Sequence, residues 1–288
     1  MSEKMQGIMK KVGPVILIVG VLFMGSKLLF KEDKKTAGGA EKVAQIALET
    51  PEEQAARLAN LKPLSVLFIG NSYTLANDMP KMLLELAAAD KGATHKLDIK
   101  VYAQGGANLT GQWQEGKALE MIRSQKWDYV VLQDHSFWAM DSVNVQNTYS
   151  AANNFDTEIK AAGAKTLLFE TWARKLGSYW YKDKKYALIL RNPEYMQQQF
   201  KVRTSELAES LQAEIIPVGD YWMYAIRQNP KLNLYNKDGS HPNVQGSFYT
   251  ALLFYRYFTG RLPEEVPYVA KGVQPAVGNS LKKIASVK

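Results

Sequence analysis

The 288-residue chain contains no cysteine, and this absence excludes several kinds of chemistry. Without thiols there are no disulfides, no thiolate metal sites and no cysteine nucleophile. The absence does not fix the cellular compartment, because cysteine-free chains suit either side of a bacterial membrane. Histidine is scarce as well, with only His95, His135 and His241. Any histidine-dependent chemistry must therefore use one of these three side chains.

The sequence also lacks the marks of a nucleic-acid-binding protein. Its formal net charge of +8 would suit an anionic partner, but much of the excess comes from lysines near the two ends of the chain. We find no zinc finger, no RNP-type motif and no arginine-rich stripe. We therefore predict no nucleic-acid partner, and the residue pattern indicates neither a metal ion nor an organic cofactor. The hydrophobic fraction, 46%, is ample for a packed core.

One long apolar run lies near the amino terminus, at residues 12–30, and lysines precede it. Its length is close to the ~20 residues that a helix needs to cross a bilayer. No polar face interrupts the run, which disfavours a buried core helix. Residues 25–27 make a poor signal-peptide cleavage site, so we predict an uncleaved single-pass anchor over residues 1–30. Lysines flank both ends of the run, and of the two orientations we favour a periplasmic or extracellular catalytic part.

Three further parts follow the predicted anchor. Residues 31–61 are interpreted as a charged linker and a helical stalk, in which Thr50 and Pro51 are typical of a helix start. Residues 62–262 are the predicted catalytic domain. Residues 263–288 are a tail that we expect to be surface-bound or loose.

The predicted catalytic domain alternates short apolar segments with helical ones. We predict strands at residues 64–70, 97–103, 127–132, 165–170 and 214–218. This alternation is typical of an α/β fold, with a parallel sheet and helices on both faces. Ser72 follows the first predicted strand, and open α/β sheets bind ligands at the carboxyl ends of their strands.

Asp238 and His241 lie in a turn-rich segment before the last predicted helix. At this spacing one loop can hold the carboxylate against the imidazole, which fixes the tautomer and stabilises the imidazolium. The second ring nitrogen is then free to meet the hydroxyl of Ser72, which needs a base to act as a nucleophile. We therefore predict that Ser72, His241 and Asp238 form a catalytic triad. The alternative for Ser72 is a helix-capping or turn serine.

Together with Gly105 and Gly106 after the second predicted strand, these motifs resemble the SGNH (GDSL-type) hydrolases. This family comprises serine esterases and lipases, and the resemblance covers residues 64–260. It implies a flavodoxin-like three-layer α/β/α fold with a five-stranded parallel sheet. It also implies that backbone N–H groups of Ser72 and Gly106 form the oxyanion hole, with Gly105 as the alternative to Gly106. In the first motif Asn71 replaces the usual aspartate.

The third motif departs from the family pattern. The family typically has Gly-x-Asn-Asp at this point, and the asparagine side chain donates to the oxyanion. This chain instead has Gln133-Asp134-His135 after the third predicted strand. We therefore predict that Gln133 or His135 replaces the missing donor, with a packing role in the loop as the alternative for His135.

Aromatic residues and lysines alternate at residues 179–186, just after the fourth predicted strand. Aromatic rings stack on sugars and lysines attract anions, which would suit an acylated or anionic glycan. We predict substrate contacts at Trp172 and Trp180 on this rim, and at Asn71 beside the serine. The alternative is that the aromatic residues cover the sheet and that the lysines are solvated.

We therefore predict a membrane-anchored serine esterase that removes an O-acetyl or other short acyl group from a carbohydrate. Its partners would be a small-molecule or glycan ester and, through the anchor, the membrane, while the oligomeric state stays open. A lipase, lysophospholipase or thioesterase is one alternative, and a non-catalytic glycan-binding scaffold that keeps the fold is another. Acyl transfer to a sugar would use the same acyl-enzyme as hydrolysis.

Overall fold

The computed structural model describes residues 49–287, so the predicted anchor and most of the predicted linker lie outside the described residues. The strands are β1 (Lys62–Asn71), β2 (His95–Gln104), β3 (Tyr129–Leu132), β4 (Lys165–Phe169) and β5 (Glu214–Ile216). All neighbouring strands pair in parallel, and their order is β2-β1-β3-β4-β5. This is the flavodoxin-like order. The predicted α/β fold with a five-stranded parallel sheet is therefore confirmed.

Helices connect the strands and cover the sheet. In the described residues they are α1 (Pro51–Ala59), α2 (Ser72–Leu75), α3 (Met79–Ala89), α4 (Leu109–Glu115), α5 (Lys117–Ser124), α6 (Ser142–Ala161), α7 (Tyr179–Lys182), α8 (Lys184–Leu190), α9 (Pro193–Leu211), α10 (Val218–Gln228), α11 (Val244–Thr259) and α12 (Pro275–Ser286). Single 3-10 turns occur at Ala76–Asp78, Trp138–Met140 and Pro263–Glu265. Within residues 49–287, none of the helices is both long and apolar enough to cross a bilayer.

The strand β1 lies inside the sheet and contributes to two apolar cores. Successive side chains of a strand point to opposite faces. Val66 and Phe68 accordingly pack with α3, α10, α11 and α12 on one face. Leu67 and Ile69 pack with α5, α6 and α9 on the other face. Full burial of each such side chain contributes about 1.5–3 kcal/mol, so the strand that carries the candidate nucleophile is firmly held.

The carboxyl-terminal segment is better ordered than the loose or surface-bound tail that the sequence suggests. Residues 275–286 form α12, and Leu281 and Ala285 on this helix are fully buried. Arg256 of α11 donates to the carbonyl of Ala285 at 2.7 Å. The helix α12 therefore completes the core beneath α11. By supporting α11 it also supports the loop that precedes this helix.

Candidate active site

The three predicted triad residues meet at the carboxyl edge of the sheet. Ser72 Oγ lies 2.9 Å from His241 Nε2, and His241 Nδ1 lies 2.5 Å from Asp238 Oδ2. Because an ionised carboxylate only accepts hydrogen bonds, Nδ1 carries a proton, and the neutral ring has an unprotonated Nε2. The Ser72 hydroxyl can then donate to Nε2, which is the arrangement that a serine nucleophile requires.

Asp238 is held in its ionised form by the loop that carries it. Burial raises the pKa of Asp238, but hydrogen bonds from the His241 side chain and from the backbone N–H groups of Ser240 and His241 outweigh it. The pKa of Asp238 therefore lies below its usual value. The two backbone N–H groups donate to Oδ1 at 2.9 and 3.0 Å, which leaves Oδ2 for the imidazole. One carboxylate thus both shapes the loop and orients the base.

The loop of residues 236–242 packs against the segment that follows β4. The Lys175 N–H donates to the carbonyl of Gly239 at 2.9 Å, and Trp180 Nε1 donates to the carbonyl of Asp238 at 3.0 Å. Gly239 has a φ of +66°, and a Cβ there would come within 2.5 Å of the Ser178 side chain. Glycine is therefore required at this point for both backbone conformation and close packing.

Backbone donors flank the candidate nucleophile. Ser72 is the first residue of α2, so its N–H has no acceptor within the helix. Gly106 lies in the turn after β2 with a φ of +75°. Within the described part of the chain, neither the Ser72 N–H nor the Gly106 N–H donates to a protein acceptor. These two groups are free to bind an oxyanion, as the family resemblance implies.

Asn71 and Gln133 are buried beneath the site, which corrects two predicted contacts. Asn71 is 4% and Gln133 1% exposed. The Asn71 amide donates to the carbonyls of Ala107 and Asp134, and its Oδ1 accepts from the Tyr73 N–H. Asn71 therefore caps α2 and joins neighbouring loops, and it offers no free donor to a substrate.

The side-chain oxygen and amide group of Gln133 likewise form hydrogen bonds within the protein. Its Oε1 accepts from the Asn71 N–H and the Thr74 hydroxyl, each at 3.0 Å, and its amide group donates to the carbonyl of Asp134. A Cβ on Gly70 would lie 2.8 Å from Gln133 Oε1. The glycine before Asn71 therefore makes room for Gln133, whose role is to fasten the end of β3 to the end of β1.

His135 remains the candidate for the third oxyanion donor. It is half-buried in the loop after β3, and its Nδ1 accepts a hydrogen bond from the Phe137 N–H at 3.2 Å. In the neutral ring the proton then resides on Nε2, which is a hydrogen-bond donor. The structure thus favours His135 over Gln133 for this predicted role.

Asp134 is a structural residue that the sequence reasoning passed over. It is 6% exposed, and its Oδ1 accepts from the N–H groups of Leu109 and His135 at 3.1 and 2.6 Å. Its other oxygen accepts from the Thr148 hydroxyl. The carboxylate therefore fixes the start of α4, which follows Gly106, relative to the loop of His135. An acidic residue two positions after a buried strand was the available signal.

The two predicted substrate-binding tryptophans have different environments. Trp172 is fully buried, stacked between Tyr73 and Trp222 at centroid distances of 4.6 and 3.8 Å. Its Nε1 donates to the carbonyl of Ser240 at 3.0 Å. Trp172 is therefore a core residue that supports the loops of Ser72 and His241, which corrects the prediction of a substrate contact. Trp180 is half-buried at the rim, and a substrate contact there stays a prediction.

Arg174 is a second residue that sequence reasoning missed. It is 3% exposed, and its guanidinium lies between the rings of Phe137 and Trp180, 4.7 and 4.4 Å from their centroids. It donates to the Tyr73 hydroxyl at 2.5 Å and to the Ser136 hydroxyl at 2.7 Å.

These contacts make Arg174 a link between the three loops of the site. Tyr73 follows the nucleophile, and its hydroxyl also lies 2.7 Å from Ser240 Oγ, beside the base. Ser136 follows His135, and Trp180 holds the carbonyl of Asp238. The planar, five-donor guanidinium suits such a junction better than an ammonium would.

Glu170, at the end of β4, is a buried carboxyl with an altered protonation equilibrium. It is 3% exposed, and burial together with the nearby charge of Asp220 raises the pKa of Glu170 to about 8. Its Oε1 accepts from Gln197 Nε2 at 2.7 Å and from the Asp220 N–H at 3.2 Å. At neutral pH the group is mainly protonated, so β4 ends on a neutral acid rather than on a buried charge.

Within residues 49–287, no three His, Asp or Glu side chains gather as a metal site would require. The fold is like that of the SGNH hydrolases, and the arrangement of Ser72, His241 and Asp238 is that of a serine hydrolase acting on esters. At the level of sequence, no protein-family model and no curated protein matches the chain.

Solved structures, in contrast, do match. A protein from Slackia heliotrinireducens assigned to the SGNH hydrolases is 26% identical, with a TM-score of 0.56 over 68% of this chain and 100% of that chain. A DUF4886 family protein from Bacteroides uniformis is 20% identical, with a TM-score of 0.65 over 78% and 94%. The acetylxylan esterase Axe2 from Geobacillus stearothermophilus is 15% identical, with a TM-score of 0.52 over 68% and 94%. The latter two likenesses show the fold alone.

Proposed function

We propose that this chain is an esterase that removes an O-acetyl or other short acyl group from a carbohydrate. The observation that carries the proposal is the continuous hydrogen-bonded series from Ser72 Oγ through His241 to Asp238, with distances of 2.9 and 2.5 Å. Such a series activates a hydroxyl that would otherwise be a weak nucleophile. The two unpaired backbone N–H groups beside it suit the anionic intermediate of acyl transfer.

In the proposed reaction, His241 Nε2 accepts the proton of Ser72 as Oγ attacks the ester carbonyl carbon. Asp238 stabilises the imidazolium through Nδ1. The N–H groups of Ser72 and Gly106, with His135 Nε2 as the third donor, stabilise the tetrahedral oxyanion. His241 then returns the proton to the leaving alcohol, which departs and leaves the acyl group on Ser72. Water attacks this acyl-enzyme with His241 again as the base, which releases the acid and restores the serine.

The rim beyond the triad supports a carbohydrate as the alcohol half of the substrate. Trp180 is half-buried there, and Tyr179 beside it is 61% exposed. Exposed aromatic rings are suited to stacking on the apolar faces of sugars. Among the solved structures with this fold, Axe2 is an acetylxylan esterase. We further propose that the segment at residues 12–30 anchors the protein, with the hydrolase domain in the periplasm or outside the cell.

Labelling with a fluorophosphonate probe tests the hydrolase chemistry, since the probe reacts with an activated serine. We expect the wild-type chain to be labelled and both Ser72→Ala and His241→Ala to be unlabelled. Ser124→Ala, which changes an exposed serine on α5, is the matched control and should label like wild type. A folded wild-type chain that resists labelling would refute the proposal.

The substrate class needs a separate experiment. Hydrolysis of p-nitrophenyl esters should be fastest with acetate and decline as the acyl chain lengthens. Acetylated oligosaccharides should lose acetate in the presence of the wild-type chain but not of Ser72→Ala. A rate that rises with chain length would contradict the short-acyl assignment and favour a lipase or thioesterase.

A further inference from the structure

Exposed large apolar side chains are concentrated at one edge of the described domain. Eight such side chains occur in residues 49–287, and six of them lie between the carboxyl end of β1, β3 or β4 and the first turn of α3, α6 or α9, respectively. These six are Leu75, Val143, Leu176, Tyr179, Leu188 and Ile189. Carboxyl ends of parallel strands emerge at the same edge of a sheet. The apolar side chains therefore lie on the edge that also carries Ser72.

Four of these six side chains belong to residues 175–191, which we call the docking segment. The docking segment contains five basic residues and one acidic residue, a formal charge of +4, within a chain of net charge +8. Its basic residues are Lys175, Lys182, Lys184, Lys185 and Arg191, and all of them are exposed. Positive charge and exposed apolar surface thus occur in the same short stretch.

The helix α8 shows how the two properties share one face. Leu188 is 82% exposed, whereas Leu190 is fully buried. Lys184 and Lys185 lie four and three positions before Leu188, so all three side chains lie on the same side of the helix. This outward face is both cationic and apolar. Such a face is typical of helices that lie in a membrane interface.

We propose that the docking segment binds the surface of an anionic lipid bilayer. Acidic headgroups would attract the lysines, and leucine and isoleucine side chains would enter the boundary between headgroups and acyl chains. A glycan could stack on Tyr179 and Trp180, but it would leave the aliphatic side chains of Leu176, Leu188 and Ile189 without a partner, because they offer no aromatic face for a sugar. A second copy of the chain fits less well too, since two docking segments of charge +4 would repel each other.

Docking would orient the site as well as hold the protein. The docking segment is attached to the acid–base loop through the hydrogen bonds from the Lys175 N–H to Gly239 and from Trp180 Nε1 to Asp238. Binding through this segment would therefore turn the triad edge toward the lipid surface. Esters presented at that surface would be the accessible substrates. The lipid contact itself requires no hydrolysis, so its test is independent of the proposed esterase activity.

The absence of cysteine allows a site-specific test. In the full-length chain, Leu188→Cys carries an environment-sensitive NBD label, and Val202→Cys on α9 carries the same label as the matched control. Each protein is reconstituted with phosphatidylcholine vesicles with or without phosphatidylglycerol. We expect the label at position 188 to shift to the blue and to be quenched by nitroxide lipids only when phosphatidylglycerol is present. The label at position 202 should stay in water under both conditions.

Charge removal provides the second arm. The double variant Lys184→Gln and Lys185→Gln is made in the Leu188→Cys background. It should need a higher phosphatidylglycerol content for the same blue shift, because each lysine near an anionic surface contributes roughly a fivefold change in binding. Far-UV circular dichroism and urea unfolding establish that each variant folds. A label at position 188 that stays in water, or that responds equally to both vesicle types, would overturn the proposal. Binding to an anionic polysaccharide without a blue shift would overturn it as well.

Discussion

The triad and the polar side chains beneath it differ sharply in their exposure. His241 and Asp238 are 41% and 44% exposed, whereas a buried polar layer lies under them at the ends of β1, β3 and β4. This layer consists of Asn71, Gln133, Asp134, Glu170 and Arg174, each no more than 6% exposed. The reacting groups are thus open to substrate, and the groups that fix their geometry are closed to water.

This contrast indicates a division of labour. A change in the triad should alter the reaction and leave the free energy of unfolding nearly unchanged, because exposed polar groups contribute little to stability. A change in the buried polar layer should alter stability first, because a buried donor or acceptor without a partner costs about 1–3 kcal/mol. Four substitutions can break or sharpen this comparison.

The largest effect is expected from Asp238→Asn. An amide would stabilise the wrong imidazole tautomer and would not stabilise the imidazolium, so kcat should fall about 10⁴-fold, or roughly 5 kcal/mol of barrier. Kinetics with p-nitrophenyl acetate measure this loss, and urea unfolding should show little change in stability. Asp98→Asn, at an exposed position on β2, is the control. A loss below tenfold would mean that Asp238 does not orient the base.

His135→Ala tests the oxyanion side of the site. If Nε2 donates to the oxyanion, kcat should fall about 10²- to 10³-fold, equivalent to ~3–4 kcal/mol, with a smaller change in KM. His95→Ala, which changes the histidine at the start of β2, should retain activity. An unchanged kcat for His135→Ala would assign His135 to loop packing and leave the hole with backbone donors alone.

Glu170→Gln should change the pH dependence of stability rather than the reaction. The pKa of Glu170 is raised from 4.5 to about 8 in the folded chain, so its contribution to stability is complete below pH 4.5. That contribution is lost as the pH rises through about 8, by up to about 5 kcal/mol. Urea unfolding at pH 5 and pH 8 should show this decline in wild type, and a smaller one in Glu170→Gln. Equal declines in both proteins would contradict a protonated Glu170.

Arg174→Lys should have the smallest effect, because the positive charge is retained. A lysine ammonium cannot donate to the hydroxyls of Tyr73 and Ser136 with the fixed geometry of a guanidinium. It also cannot stack between the rings of Phe137 and Trp180. We expect about 2 kcal/mol lower stability and a roughly tenfold lower kcat. Arg123→Lys, at an exposed position on α5, is the control. A variant with normal kcat would show that Arg174 supports the fold without positioning the triad.

Much of the fold was open to prediction from the sequence, for a physical reason. Each strand is a short apolar run bounded by turns, so all five strands were placed within a few residues of their observed bounds. The helix at residues 275–286 was missed, although Pro275 at its first position is a helix-start signal. Its stability comes from Leu281 and Ala285 packing on distant elements, which no local pattern reveals.

The site shows the same limit. The arrangement of Asp238 and His241 was predictable because one short loop determines it. The roles of Trp172 and Gln133 were not, because they depend on partners far along the chain. Gln133 bonds a backbone group 62 positions away, and Trp172 one 68 positions away. The motif position predicted an oxyanion donor at Gln133 and the rim position predicted a substrate contact at Trp172, but both side chains are buried.

The hydrogen bond between Ser72 and His241 also spans the chain, joining residues 169 positions apart. The acid and the base can approach each other as soon as their own loop forms, but the nucleophile meets them only after α11 docks on the sheet. Proteins dominated by contacts of such long range fold slowly. The serine should therefore stay inert in a nascent or partly folded chain, and its reactivity with a fluorophosphonate would report, in real time, the completion of folding.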